Sequence, residues 1–547
     1  MTTSPPMDRP GLLLRGGPVY SPADPRATAL LISGGIISWV GSTAAADELA
    51  GDRGIDVVEL AGCLVTPAFV DAHTHATSAG VALTGLRLGT PQSAVELLDA
   101  VAAHVATLPA DALVLGHGWD NSRWLDQRLP TAEQLDRAAG GRRTYLSRVD
   151  KHSALVAGGI AQQPGGSGGS SGDGSGDPRD DRVGGCWVRG DAHHAARSAT
   201  FGSLRPADRR RAQRAFRGQA AALGIGAVHE CAGPEISGED DLTGLLALAA
   251  AEPGPEVYGY WGALGEVERA RELGALGAGG DLFVDGSIGS HTAALREPYA
   301  DAPSVGGTAY LDADRIAQHV TACVGAGSQP GFHAIGDRAI DLLLAGLAAA
   351  ATAVSEPRLR AARTRLEHAE LVHPEHFKAL VEHGVVASVQ PAFDATWGGP
   401  RGMYATALGA ERALRMNPLA GFAGVGVPMA FGSDAPVTPL DPWGAVRAAA
   451  HHLTPVHRIS ARAAFAAHTR GGWRAIGRDT DGVLVPGAPA TFAVWRLAGG
   501  SPAGGAAEAP VALPDLGSGT PAPVCVRTVV RGRTIFTDGT TGEGGSG

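Results

Sequence analysis

His73 and His75 stand one residue apart at the end of VTPAFVDAHTH, a run that opens at Val65 with apolar and β-branched residues. Such a run reads as a buried strand, and on a strand residues i and i+2 point to the same side. The pair therefore offers two imidazoles to one point in space, an arrangement suited to a divalent metal. Alone it is a weak signal, since 19 histidines in 547 residues give about one His-x-His pair by chance. Three more residues able to bind a metal end other strand-like runs: His333 in QPGFHAIGDRA, His368 in TRLEHAEL and Asp434 in MAFGSDAPV. A single histidine near a strand end more often makes a structural hydrogen bond, so His117, His152, His229 and His291 are not assigned to a metal.

Residues so far apart in sequence meet only if a repeating architecture brings equivalent strand ends together. Helix-period segments alternate with apolar runs along the middle of the chain. SAVELLDAVAAHVATL precedes ALVLGHGWD, RAQRAFRGQAAALG precedes IGAVHECAG, RAIDLLLAGLAAAATAVS precedes TRLEHAEL, and NPLAGFAGVGV precedes PMAFGSDAPV. This alternation predicts an α/β fold, a closed (β/α)8 barrel with insertions, whose active site lies at the C-terminal strand ends; an open doubly wound sheet is the alternative. The first 60 residues instead read as short strands broken by Gly and Pro, and GVLVPGAPATFAVWRL and VCVRTVVRGRTIFTDG near the other end share that texture. The expected division is residues 1–65 as the N-terminal part of a composite β-sandwich, 66–479 as the barrel, and 480–547 as the C-terminal part of the sandwich and a tail. The Gly/Ser/Asp tract at 163–185 is expected to be a flexible insertion, because it carries too little apolar surface to order itself.

Composition narrows the functional classes. With 44% hydrophobic and 18% charged residues the chain is globular, and it contains no run of about 18 apolar residues that could cross a bilayer. The formal charge of −10, without a basic patch, argues against nucleic acid as a partner. Five scattered cysteines without CxxC pairing fit a reducing compartment, and MTTSPPMDRPG has none of the marks of a secretory signal, so the expected location is cytoplasmic. The expected partner is a small-molecule substrate, with a homodimer as the assembly considered.

Taken together, VTPAFVDAHTH, LFVDGSIGSHTAAL, GFHAIGDRAID, RLEHAEL, SVQPAF and FGSDAPVTPLDPW resemble the barrel motifs of the amidohydrolase superfamily, family 3, the group of N-substituted formamide deformylase. The resemblance covers most of residues 10–540. It implies a divalent metal, usually zinc, held by His73, His75, His333 and Asp434, with His368 binding a second metal or touching substrate. Such a metal lowers the pKa of bound water to about 7 and polarises the carbon under attack. Asp434 is then expected to serve as ligand and as the base that passes a proton to the leaving nitrogen. Relatives carry similar stretches around His117, Trp119 and His152, which makes these residues and Asp285 candidates for substrate contact.

One position departs from the family. Many relatives have a lysine before the Asp-Gly-Ser that, once carboxylated, bridges two metals; here GGDLFVDGS has Asp281. A carboxylate several bonds shorter is expected to stop short of the metals if it starts from the same backbone position. The chain has two lysines, Lys151 and Lys378, neither in this run. One tightly bound ion is therefore expected, with a weaker second ion possible and Glu230 as the substitute bridging carboxylate. The implied activity is hydrolysis of a carbon–nitrogen bond other than a peptide bond, in a small amide or N-formyl compound. Two alternatives are a deaminase of a cyclic amidine and a metal-binding pseudoenzyme or scaffold without turnover.

Overall fold

A computed structural model describes the chain outside residues 1–10, 51–54, 110, 122–123, 127, 150–152, 161–185, 499–508, 518 and 540–547. The Gly/Ser/Asp tract, the C-terminal tail and His152 lie outside the described residues. The chain divides into two units, one of residues 1–75, 217–232 and 242–547, the other of residues 76–216 and 233–241.

The first unit is built on eight parallel strands. In chain order they are β1 (Phe69–Thr74), β2 (Ile225–Ala232), β3 (Glu256–Trp261), β4 (Gly277–Ala278), β5 (Gln329–Ala334), β6 (Arg365–His368), β7 (Val386–Val389) and β8 (Met429–Phe431). Each pairs in parallel with the next, with β1 beside β2 at one end of the ladder and β8 beside β7 at the other. The ring is completed past the ends of β1 and β8. There Asp434 N donates to His73 O at 2.9 Å, His75 N donates to Ala435 O at 3.0 Å, and Thr74 bridges Ala435 in parallel. Every residue of FVDAHT and IGAVHECA is buried, as expected of strands covered on both faces.

Both chain ends contribute to a pair of sheets. Leu64–Pro67 pairs antiparallel with Phe492–Arg496, which continues through Val524–Val530 to Arg533–Thr537. The other sheet holds Leu12–Arg15, Ala29–Ser33, Ile36–Gly41 and Asp56–Glu59. Leu14, Leu30 and Ile32 from one sheet and Val65, Phe492, Val494 and Val526 from the other pack in a common buried core. Strand Leu64–Pro67 is separated from β1 by Ala68 alone, so the sandwich leads directly into the strand that carries His73.

The second unit corrects the expectation for ALVLGHGWD. Its strand Val114–Trp119 belongs to a separate five-stranded sheet with Leu86–Arg87, Thr144–Arg148, Ser153–Ala157 and Trp187–Arg189, outside the barrel. One core of this unit joins Leu97, Val101, Leu135, Leu146 and Leu155; another joins Tyr145, Val156, Ala196 and Phe201. An apolar strand following an amphipathic helix looks the same in either sheet, because periodicity reports burial and not the neighbouring strand. Among the described residues no helix is long and apolar enough to cross a membrane.

Candidate metal centre

His73, His75, His333, His368, Asp281 and Asp434 gather at the C-terminal ends of the barrel strands, all of them buried. His73 lies on β1, and His75 follows its last residue on the same side. His333 lies on β5, held by main-chain hydrogen bonds to the segment beyond β4, from His333 N to Leu282 O at 3.0 Å and from Val284 N to His333 O at 2.9 Å. His368 follows Glu367 on β6, and strict alternation would turn it to the opposite side. Its φ of 70° ends the strand and breaks that alternation; Asp434 past β8 is likewise left-handed, with φ of 54°. Non-glycine residues in this region cost about 1–3 kcal/mol each, a strain that gathers at functional sites.

Asp281 occupies the middle of the cluster, which corrects the expectation that it would stop short. Its Oδ2 lies 3.2 Å from His75 Nε2, and its Oδ1 lies 3.5 Å from His73 Nε2, 3.3 Å from His333 Nδ1 and 3.5 Å from His368 Nε2. The backbone supplies the missing reach. A Cβ on Gly279 would lie 2.3 Å from Gly331 N, and Gly280 has φ of 78° with a Cβ position 3.1 Å from Cys231 Sγ. This glycine pair brings the chain against β5 and turns it inward, a path closed to bulkier residues. The expectation rested on an unchanged backbone, and β4 is only two residues long before the turn.

Two atoms test whether a metal suits the site. His73 Nε2 and Asp434 Oδ1 are fully buried and make no hydrogen bond. Asp434 Oδ1 lies 3.1 Å from His75 Nε2 and 3.7 Å from His73 Nε2, within Coulombic reach but out of hydrogen-bond alignment. Leaving such atoms unmatched costs about 1–3 kcal/mol each, more for a charged group, so the arrangement is made for a cation. Donor separations of 3.2–3.5 Å around Asp281 also match the edge of a tetrahedron of ligands, about 3.4 Å for bonds near 2.1 Å. Nitrogen and carboxylate donors together are the set that zinc and similar divalent ions accept.

Each imidazole is oriented by a partner on its other nitrogen. His73 Nδ1 donates to Glu367 Oε2 at 2.9 Å, His75 Nδ1 to Cys231 O at 3.0 Å, His368 Nδ1 to Gln390 Oε1 at 2.9 Å, and His333 Nε2 to Gly286 O at 3.2 Å. These acceptors fix the tautomers, leaving Nε2 of the first three and Nδ1 of His333 to face the centre. Glu367 is in turn paired with Arg365, whose guanidinium lies 4.5 Å over the Tyr260 ring and also donates to Ala72 O, Ser388 Oγ and His229 Nδ1. Burial pushes the Glu367 carboxyl up, but the Arg365 charge and the His73 hydrogen bond outweigh it and hold Glu367 ionised. Burial likewise opposes charge on His75, yet Asp281 and Asp434 raise its imidazolium to about 9.

Other expected contributors are placed elsewhere. On β2, His229 and Cys231 face the barrel interior, where they meet Arg365 and His73. The alternating neighbour Glu230 faces the other way, toward Thr74 Oγ1 at 3.4 Å, and joins none of the metal-capable groups among the described residues. Among the described residues it is Asp281, and not Glu230, that is grouped with the buried imidazoles of His73, His75, His333 and His368. Asp285 accepts main-chain N–H groups of Ala294, Ile335 and Gly336, which ties the loop after β4 to the loop after β5 and commits its oxygens. Burial pushes its carboxyl up to about 7 despite those bonds. In the second unit Trp119 is fully buried and donates to Leu146 O at 2.7 Å, and His117 Nε2 bonds Ala82 O at 2.7 Å. Packing accounts for Trp119, in place of the substrate contact expected of it. Glu367, Arg365 and Gln390 were not anticipated, although the i, i+2 spacing of Arg365 and Glu367 beside His368 was a signal that they share the interior face.

The chain is 28% identical over 535 residues to Protein LONG AFTER FAR-RED 3 of Arabidopsis thaliana, covering 88% of this chain and 86% of that protein. A shorter stretch of 134 residues is 31% identical to N-substituted formamide deformylase of Arthrobacter pascens, 24% of either chain. The crystal structure of an uncharacterized metal-dependent hydrolase from Pyrococcus furiosus superposes with a TM-score of 0.72 at 25% identity, covering 88% of this chain and 98% of that one. Residues 56–536 match the model of the Amidohydrolase family, and the chain belongs to that family as a hydrolase with a His/Asp cluster able to hold metal.

Proposed function

We propose that this protein hydrolyses a carbon–nitrogen bond other than a peptide bond, in a small amide or N-formyl compound. The observation that carries this reading is Asp434, whose buried Oδ1 is hydrogen-bonded to nothing and stands among the imidazoles of His73 and His75. A divalent ion, zinc in this reading, held by His73, His75, His333 and Asp434, would supply activated water at neutral pH and polarise the carbon under attack. Asp434 accepts a proton at its carboxylate and returns it to the leaving nitrogen. His368, fixed through Gln390, keeps Nε2 toward the reacting centre, and Glu367 keeps the His73 Nε2 lone pair directed inward. His117 and His152 are retained as proposed substrate contacts. The formyl class is favoured because the Arthrobacter pascens relative is named for N-substituted formamides.

The test is a product assay on zinc-loaded protein with a panel of small amides, N-substituted formamides and cyclic amidines. Amine release, with formate from the formamides, is the expected result. Ammonia from a cyclic amidine alone would assign a deaminase instead, and retained metal with no turnover across the panel would leave a metal-binding scaffold.

A further inference from the structure

We propose that Glu370 is a substrate-binding residue whose free carboxylate oxygen accepts a hydrogen bond from a positively charged nitrogen, so that the compounds hydrolysed here carry an amine beyond the bond that is cleaved. This deepens the amide-hydrolase reading and rests on it for the reaction. Ala369 N donates to Ala334 O at 3.2 Å and Leu371 N to Ile335 O at 3.0 Å, so the chain runs on past β6 beside the segment beyond β5. Glu370 therefore stands beyond the strand ends, where the imidazoles gather. Its carboxylate is near enough to act electrostatically on His368 and Asp434, yet it joins none of the metal-capable groups among the described residues.

Glu370 is 3% exposed and short of donors. Among the described residues its carboxylate has one hydrogen bond, from Tyr404 Oη to Oε2 at 2.5 Å, and no arginine or lysine pairs with it. Other buried carboxylates of the barrel are better matched. Glu367 is paired with Arg365 and accepts from His73, Asp285 accepts three main-chain N–H groups, and Asp71 accepts two, from Ser433 at 2.8 Å and from His73 at 3.4 Å. A buried carboxylate without such partners is unfavourable until a cation completes it. Protonation does not complete it, since an O–H on Oε1 would likewise have no acceptor. His368 does not serve either, because its Nδ1 is taken by Gln390 and its Nε2 faces the metal centre. The carboxylate is nevertheless held in place. Tyr404 packs with Tyr299, Ile335, Leu371 and Met416 in a buried core, and Asn417 N donates to Glu370 O at 2.7 Å. Oε1 is thus positioned before a ligand arrives, which lowers the cost of binding one. The missing donor is one that a substrate can bring.

The test compares N-(ω-aminoalkyl)formamides with N-alkylformamides of equal length, over chains of two to five carbons. Binding is measured by calorimetry on zinc-loaded full-length protein carrying Asp434→Asn, and kcat and KM on the zinc-loaded wild-type protein. At the best length the charged compound is expected to bind about 10-fold or more tightly than its neutral counterpart, the usual worth of a hydrogen bond to a charged group. Glu370→Gln, added to the same background, keeps the shape and removes the charge; the two compounds are then expected to bind within about 2-fold of each other, with metal content and melting temperature unchanged. Glu370→Asp withdraws the charge by one methylene and is expected to keep the preference with its optimum moved to a longer chain, a shift that a merely structural role would not produce. Equal binding of charged and neutral compounds at every length in protein that carries Glu370, or a preference that survives Glu370→Gln, would overturn the assignment. If Glu370→Gln misfolds, an optimum that stays in place in Glu370→Asp does the same. Selective binding of the charged compounds with no hydrolysis by the wild-type protein would leave this role and remove the proposed activity, whereas hydrolysis of charged and neutral compounds with equal kcat/KM would do the reverse.

Discussion

At the scale of single residues the centre is organised by what stands behind each ligand. Glu367 and Arg365 form a fully buried ion pair under His73, and such pairs survive only when every charge has its partners. Glu367→Gln removes the negative acceptor of His73 Nδ1 while keeping the shape of the side chain. Metal affinity is expected to fall by about 10–100-fold, the usual cost of losing a carboxylate behind a metal-bound imidazole. It is measured by competition with a chelator of known strength. Because the change also leaves Arg365 without its partner, a lower melting temperature will accompany it; unchanged metal affinity would remove Glu367 from the positioning role. Asp434→Asn separates binding from proton transfer. The amide oxygen can still face a cation, so metal content is expected to stay close to that of wild type while kcat falls by about 10²–10⁴-fold. An unchanged kcat would show that Asp434 is not the proton acceptor.

At the scale of elements, the strands that carry His73, His333 and His368 were legible because apolar runs ended abruptly in ligand residues. Asp434 was legible in the same way, at the foot of MAF. Two features were hidden. LFVDG has the composition of a strand, yet beyond Gly277–Ala278 it forms only an isolated bridge from Phe283 to His333. Where a side chain from that segment ends depends on the approach of Gly279 to Gly331, a long-range contact that no local pattern reports. The placement of ALVLGHGWD in a separate sheet was hidden for a similar reason, since pairing with Thr144–Arg148 in place of a barrel strand leaves no mark on its periodicity. The glycine turn can be tested directly. Gly280→Ala places a methyl group 3.1 Å from both Cys231 Sγ and Tyr260 Cβ at a φ of 78°. The left-handed backbone alone costs about 1–2 kcal/mol for a residue with a Cβ. The expected outcome is a lower denaturant midpoint together with weaker metal binding, because relief of the strain moves Asp281. Loss of stability with full metal affinity would show that the turn supports the fold but does not place the ligand.

At the scale of the first unit, the sandwich made by the chain ends and the barrel share one aromatic contact region. Trp495, from the C-terminal strand Phe492–Arg496, packs edge-on against Phe69 at 5.7 Å and against Trp443 at 5.4 Å, and its indole N–H donates to Thr66 Oγ1 at 2.9 Å. Phe69 begins the strand that ends at His73 and His75, so a residue near the far end of the chain braces the first pair of ligands. A Cβ on Gly224, just before β2, would lie 2.3 Å from the Trp495 ring, which shows how closely the barrel wall is fitted to it. Trp495→Ala empties this site and is expected to cost about 3–5 kcal/mol, the usual range for deleting a large buried aromatic. The ligand atoms themselves are untouched, and their orienting partners Glu367, Cys231, Gln390 and Gly286 lie on other elements. Stability and metal content should therefore separate in this variant: thermal melting shifts down, while metal per folded chain at 25 °C matches wild type. If metal is lost from protein that is still folded, the position of β1 depends on the sandwich, and the two chain ends would then hold the site in place as well as the fold.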